Sequence, residues 1–277
     1  MATFGAIATG VGTATGAGAV IVGLKKRNLD ISLDELRAKY DAISPTNDKA
    51  TNEEYDLTFD PVKLKADIAA FLNTVTDVNK LAISNKLKND IAEKDAKSKK
   101  LGNIRTGLSA ATGVTGVAGA VISATNKVDS DLKTRLKDCR AAIENMDRDA
   151  GRAMAESGSD NPSIATARKI SAGCLSWKTV DESKINSFSN IGLIAAAIQA
   201  ATGIAGAVVS SKANSDNVRS VDTKEGKLKE DKLNMTANTV MIGATAAGGV
   251  ATVFSALQIS AVKKALTAAD KCEEALK

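Results

Sequence analysis

Charged and uncharged positions divide the chain into two kinds of segment. Four stretches, residues 2–25, 104–127, 191–212 and 238–264, are built mainly from Gly, Ala, Ser, Thr and Val, and each closes on a lysine. Between them lie segments rich in Lys, Asp and Glu. The uncharged stretches share short words. Gly119-Ala120-Val121-Ile122-Ser123 resembles Gly206-Ala207-Val208-Val209-Ser210, and Gly18-Ala19-Val20-Ile21 repeats the theme. Ala110-Ala111-Thr112-Gly113 equals Ala200-Ala201-Thr202-Gly203. At helical spacing, small residues fall four apart and form ridges. Thr112, Gly116, Ala120 and Ala124 form one ridge, and Ala111, Thr115, Gly119 and Ser123 form its neighbour. Gln199, Gly203, Ala207 and Ser211 form another, as do Gly243, Ala247, Ala251 and Ser255. Val114, Val117 and Val121, and likewise Ile194, Ile198 and Val208, supply bulk on separate stripes.

Ridges of small residues let helix backbones approach closely, with dispersion and weak Cα–H···O contacts. Each glycine costs about 1 kcal/mol relative to alanine in a helix. Such helices therefore need close partners. A bilayer and a tightly packed bundle or polymer in water both supply them. A span needs about 20 largely apolar residues, and the stretch from Ile191 fits best. Three features favour water. Thr, Ser and Gly dilute the apolar content, no Trp or Tyr marks a segment end, and Arg105 and Gln199 lie within or beside their segments. The ridge residues Gly116, Gly119, Ala120, Gly203, Gly206, Ala207, Gly243 and Ala247 are the expected assembly surface.

The intervening segments read as amphipathic helices. Ser32 and Glu35 have capping-box spacing and predict a helix start. Ser44-Pro45-Thr46-Asn47 ends that helix, and residues 45–59 read as a polar loop. Asp60-Pro61 predicts another start. A heptad-like stripe follows through Leu64, Ile68, Phe71, Val75, Val78 and Ala82, with Gly102 as the expected break. Val128, Leu132, Leu136, Cys139, Ile143, Met146 and Ala150 form a further stripe. Residues 158–162 predict a turn, residues 163–175 a shorter helix, and Trp177 a core plug. Residues 212–233 are a polar connection that makes the last two small-residue helices an antiparallel hairpin. The divisions expected are 1–101, 102–185 and 186–277.

Composition narrows the chemistry. Aromatics are 3% of 277 residues and histidine is absent, which removes the commonest general base and metal ligand. With 37 basic and 32 acidic residues the net charge is +5, a mixed surface and not a nucleic-acid footprint. The densest basic run, residues 94–100, contains Asp95 and reads as a solvated helix face. No phosphate loop, zinc spacing or nucleophile motif occurs, so no catalytic residue, metal, cofactor or small-molecule substrate is expected. The three cysteines, Cys139, Cys174 and Cys272, allow one disulfide plus one further thiol, with Cys139–Cys174 the first pair to test. The opening MATFGAIATG lacks the basic region of a standard secretory signal.

The resulting expectation is an all-α fold of elongated hairpins, with Gly/Ala/Thr-rich helices repeated about four times. Its function is expected to be structural: self-association through the ridges into a filament or surface-layer-like array, extracellular or at the cell surface. The alternative is a membrane-active translocator or pore former that inserts helical hairpins as an oligomer.

Overall fold

The computed structural model describes residues 2–44, 61–125, 130–157, 169–172, 174, 180–219 and 224–277. Among these the chain is all-α, with no strand. Its helices are α1 (Ala2–Ile43), α2 (Pro61–Leu72), α3 (Lys80–Thr125), α4 (Ser130–Ser157), α5 (Glu182–Ala213), the short α6 (Asp216–Arg219) and α7 (Lys224–Leu276). The loop expected at 45–59, Val128, the turn at 158–162, most of the helix expected at 163–175 and Trp177 lie outside the described residues.

The long helices run further than the sequence signals suggest. Ser32 caps no new helix. It lies within α1, where its hydroxyl accepts a hydrogen bond from Lys94 Nζ. No proline occurs in α1 to stop it. Gly102 does not break α3 either, because the side chain of Asn214 packs into the notch it leaves. The stripe from Leu64 to Ala82, by contrast, is interrupted. Leu64 and Ile68 pack against Ala38, but α2 ends at Leu72. Asn79 then ties a turn: its Oδ1 accepts from the Thr76 amide at 2.7 Å and its Nδ2 donates to the Thr74 carbonyl at 3.0 Å. Val78 is left 96% exposed.

The chain forms two compact units. One gathers Met1–Gly10, Ala118–Ala197 and Gly249–Lys277, the other Val11–Val117 and Ile198–Gly248. Neither unit is one consecutive stretch of sequence. Long helices that fold back on one another bring together stretches distant in sequence.

In the first unit, α4 behaves as an ordinary amphipathic helix. Leu132 and Leu136 pack with Ile185 of α5 and with Ala265 and Ala269 of α7. Cys139 and Ile143 join Ile170, Cys174 and Cys272. Arg135 pairs with Glu273 through Nε at 2.5 Å and Nη2 at 3.0 Å, and with Asp270 at 2.7 Å. The disulfide joins Cys174 to Cys272, not to Cys139, which remains a buried free thiol. All three cysteines share one cluster, and the end of α7 supplies the neighbour of Cys174 that sequence spacing did not reveal.

In the second unit, α1, α3, α5 and α7 pack at close range. A Cβ on Gly116 stands 2.5 Å from the Ala200 nitrogen, and Gly113 and Gly203 abut backbone to backbone. Gly16 meets Thr112 and Thr245, and Gly206 meets Met241. The paired residue numbers rise on one helix as they fall on the other for α1–α3, α3–α5, α5–α7 and α1–α7. These neighbours are therefore antiparallel.

Candidate functional site: an apolar exterior around a polar seam

Burial along each long helix follows a heptad. On α1 the buried positions up to Lys26 are Gly5, Thr9, Gly12, Gly16, Ala19, Gly23 and Lys26. On α3 from Ser98 onward they are Ser98, Gly102, Arg105, Ser109, Thr112, Gly116, Gly119 and Ser123, together with Gly113. On α5 they include Ile185, Ser189, Gly192, Ala196, Gln199, Gly203, Gly206, Ser210 and Ala213. The heptad positions alternate steps of four and three, the spacing of a coiled-coil seam. What is unusual is the content of the seam, which is Gly, Ala, Ser and Thr with a few large polar side chains.

Bulk lies on the outside. Val114, Val117 and Val121 of α3 are exposed, Val114 by 68%. So are Phe4, Ile7, Val11, Ile21 and Leu24 of α1, and Ile191, Ile194, Ile198, Ile204 and Val208 of α5. On α7 the outward set is Met235, Ile242, Val250, Val253 and Leu257. The apolar stripes through Val114 and Ile194 are therefore exposed. Charge is absent from residues 2–24, 106–126, 185–211 and 233–262. From Phe4 to Leu24 the helix rises about 30 Å, the thickness of a bilayer's hydrocarbon core. Among the described residues, four helices are long and apolar enough to cross a membrane, with mean hydropathies of 1.6, 1.4, 1.8 and 1.7 over their most apolar windows.

Outside these runs the packing rule reverses. Past Leu24, α1 turns the charged Lys25 outward and buries Leu33, Ala38 and Ile43. Past Val262, α7 exposes Lys263, Lys264 and Lys271 and buries Ala265, Ala269 and Cys272. The larger apolar side chains are mostly outside along the uncharged runs, Met241 and Ile185 apart.

The large polar residues of the seam are accommodated by glycine. Gln199 is fully buried, and its amide fills the space that a Cβ would take at Gly12 and at Gly248. Neither amide atom has a hydrogen-bond partner. Arg105 occupies the notch at Gly23. It donates from Nη1 to Asn234 Oδ1 at 3.2 Å, and from Nη2 to the Asn234 carbonyl at 2.9 Å and Asn238 Oδ1 at 2.6 Å. Lys26, 1% exposed, pairs with Asp30 at 2.5 Å and Glu230 at 3.3 Å. Most seam threonines bond their own helix: Thr112 Oγ1 donates to the Leu108 carbonyl and Thr115 Oγ1 to the Ala111 carbonyl, both at 2.9 Å. The bond to the same helix satisfies the buried hydroxyl locally, and Thr112 Oγ1 also lies 2.9 Å from Thr15 Oγ1 of α1.

Where the uncharged run of α3 gives way to charge, a polar network joins the helices of the second unit. Asp30 accepts from Ser98. Arg219 donates to Asp95 Oδ1 at 2.9 Å and to Asn214 Oδ1 at 3.0 Å. Asp216 takes a 2.9 Å hydrogen bond from Lys99, which holds its carboxyl below the ordinary aspartate value. In the first unit, burial pushes the Cys139 thiol above the ordinary cysteine value.

The structure distributes the expected ridge residues unevenly. Gly116, Gly119, Gly203 and Gly206 are buried on the seam. Ala120, Ala207 and Ala247 are half-buried at its edge, and Gly243 is exposed with nothing within 4 Å of its missing Cβ. A strict step of four drifts around the helix, so α7 buries Ala244 and Gly248 in place of Gly243 and Ala247. Lys26 and Arg105 escaped notice as seam residues because charge usually marks the outside. The alternation of four and three through Gly5, Thr9, Gly12 and Gly16 was the available signal. Among the described residues no group of three or more Cys, Asp or Glu side chains is arranged to hold a metal ion. Compared with family models, with curated proteins and with solved structures, the chain has no match.

Proposed function

We propose that this is an integral membrane protein whose four long helices cross the bilayer as elongated hairpins, built from four related Gly/Ala/Thr-rich segments. The observation that carries the reading is the reversal of packing: along the uncharged runs most of the large exposed side chains are Ile and Val, and the inward positions are mainly small or polar, with Met241 and Ile185 the large apolar exceptions. In water an exterior of that kind costs about 25 cal/mol per Å² of apolar area, whereas lipid solvates it freely. Small residues at the helix contacts are what membrane helices use, since lipid supplies no hydrophobic drive to associate. Arg105 and Gln199, polar residues within or beside uncharged segments, count toward water on sequence alone. On the buried seam they are compatible with a membrane interior, where polar groups face the bundle and mark function. The bundle then acts as a membrane-embedded scaffold or pore subunit, without a catalytic role.

The test is flotation of the full chain, reconstituted into phosphatidylcholine vesicles and washed at alkaline pH. The protein is expected to rise with the lipid. Recovery in the unfloated, soluble fraction would contradict the reading.

Assembly of copies in water is the second reading, favoured by the same exposed faces. Gly116, Gly119, Gly203 and Gly206 already face their own chain, so such an assembly would join Ile and Val faces and not the glycine ridges. Regular fibres in detergent-free electron micrographs would support it.

A further inference from the structure

We infer that the first unit carries a binding groove for an anionic phospholipid, an inference that rests on the membrane reading above. The groove, of about 270 Å³, lies between the start of α5 and the last third of α7. Ile185, Phe188, Leu257 and Ala261 give it an apolar lining, and Lys184 and Lys264 stand in its wall. Leu257 belongs to the outward apolar set of α7, so the groove is continuous with the face proposed to meet lipid. Lys264 follows the uncharged run that ends at residue 262, and Lys184 precedes the one that begins at 185. Both lysines therefore stand where acyl chain gives way to headgroup. Both are exposed, and neither pairs with a carboxylate among the described residues. Asp181, the one acidic group of the lining, is engaged in the helix itself: its Oδ1 accepts from the Lys184 amide at 3.0 Å and caps α5. That leaves two ammonium groups for a phosphate and an apolar trough for one chain. Basic pockets between membrane helices recognise lipid headgroups in this manner.

The experiment uses the full chain in nanodiscs of equal phosphatidylglycerol and phosphatidylcholine with matched acyl chains, read by native mass spectrometry of the released protein. Each lysine near a headgroup favours the anionic lipid by about fivefold, so a preference of roughly 25-fold for retained phosphatidylglycerol is expected. The K184Q/K264Q double variant should insert normally and lose the preference. Leu257→Trp, which fills the trough, should reduce retention of both lipids. Equal retention of the two lipids by the unaltered chain, or an undiminished preference in the double variant, overturns the site while leaving the membrane reading intact. Failure to enter nanodiscs overturns both.

Discussion

The carboxamide of Gln199 occupies the space in which a side chain on Gly12 would stand. One large polar residue on α5 is matched by the absence of a side chain on α1, and by a second absence at Gly248 on α7. The same matching recurs with Arg105 and Gly23. Gly12, Gly248 and Gly23 are complements to particular side chains.

This pairing separates packing from polarity. Gln199→Met keeps the length and removes two buried atoms that lack hydrogen-bond partners. An unmade buried hydrogen bond costs about 1–3 kcal/mol, so the methionine variant is expected to be more heat-stable in detergent by about 1–2 kcal/mol. Gly12→Ala forces the Gln199 amide and the Thr115 hydroxyl to shift and is expected to destabilise by about 1 kcal/mol, the low end of the cost of overpacking. A less stable methionine variant would show that the amide has a partner in the assembled protein.

Adjacent glycines should respond oppositely. A Cβ on Gly248 meets Gln199 and Thr13, whereas one on Gly249 meets nothing within 4 Å. Gly249→Ala should therefore stabilise by about 0.5–1 kcal/mol through helix propensity, and Gly248→Ala should destabilise. Gly116→Ala should cost still more, because the obstacle is the backbone of Ala200. Thermal melts of the three variants check the order.

The buried cation Lys26 is held by Asp30 and Glu230. Removing one member of a buried ion pair costs about 3–5 kcal/mol when both charges are fully buried. Asp30 and Glu230 keep 19% and 13% exposure, so Lys26→Met is expected to cost about 2–3 kcal/mol. Arg27→Met, whose partner Asp231 sits with it nearer the surface, should cost under about 1 kcal/mol. Equal losses would mean that Lys26 is solvated.

Cys139 gives a pH-dependent signature. Its thiol titrates above the ordinary value of 9.0 because burial disfavours the thiolate. The stability tied to that shift is fully present below pH 9 and is lost as pH rises through the folded value, since the unfolded chain ionises first. Cys139→Ala should flatten part of the alkaline fall in melting temperature. Native protein should also resist thiol alkylation until it is unfolded, while Cys174 and Cys272 become reactive only after reduction. Rapid labelling of native Cys139 would contradict its burial.

Much of the fold was legible because the signals were local. The stripe from Leu132 to Ile143 reads directly as the buried face of α4, since α4 keeps bulk inside and charge outside. The four long helices that carry the small-residue segments extend well beyond them. The inner and outer faces of those segments were not legible. Hydrophobic periodicity assumes that the larger apolar residue is buried, and Val114 and Ile194 break that assumption. A step of four also hid the alternation of four and three, which placed Gly243 on a face it does not occupy. The disulfide was underdetermined because Cys139, Cys174 and Cys272 meet in one cluster, and no spacing rule distinguishes the pairs.

The most direct test is where the outward residues point. In a Cys139→Ser background, where the remaining cysteines are bonded to each other, single spin labels at Val114, Val117, Val121, Ile194 and Ile198 report their surroundings in nanodiscs. The account predicts high accessibility to oxygen and low accessibility to a water-soluble nickel reagent at all five sites, with the opposite pattern for a label at exposed Lys133. High nickel accessibility at the five apolar sites would place those faces in water and contradict the membrane reading.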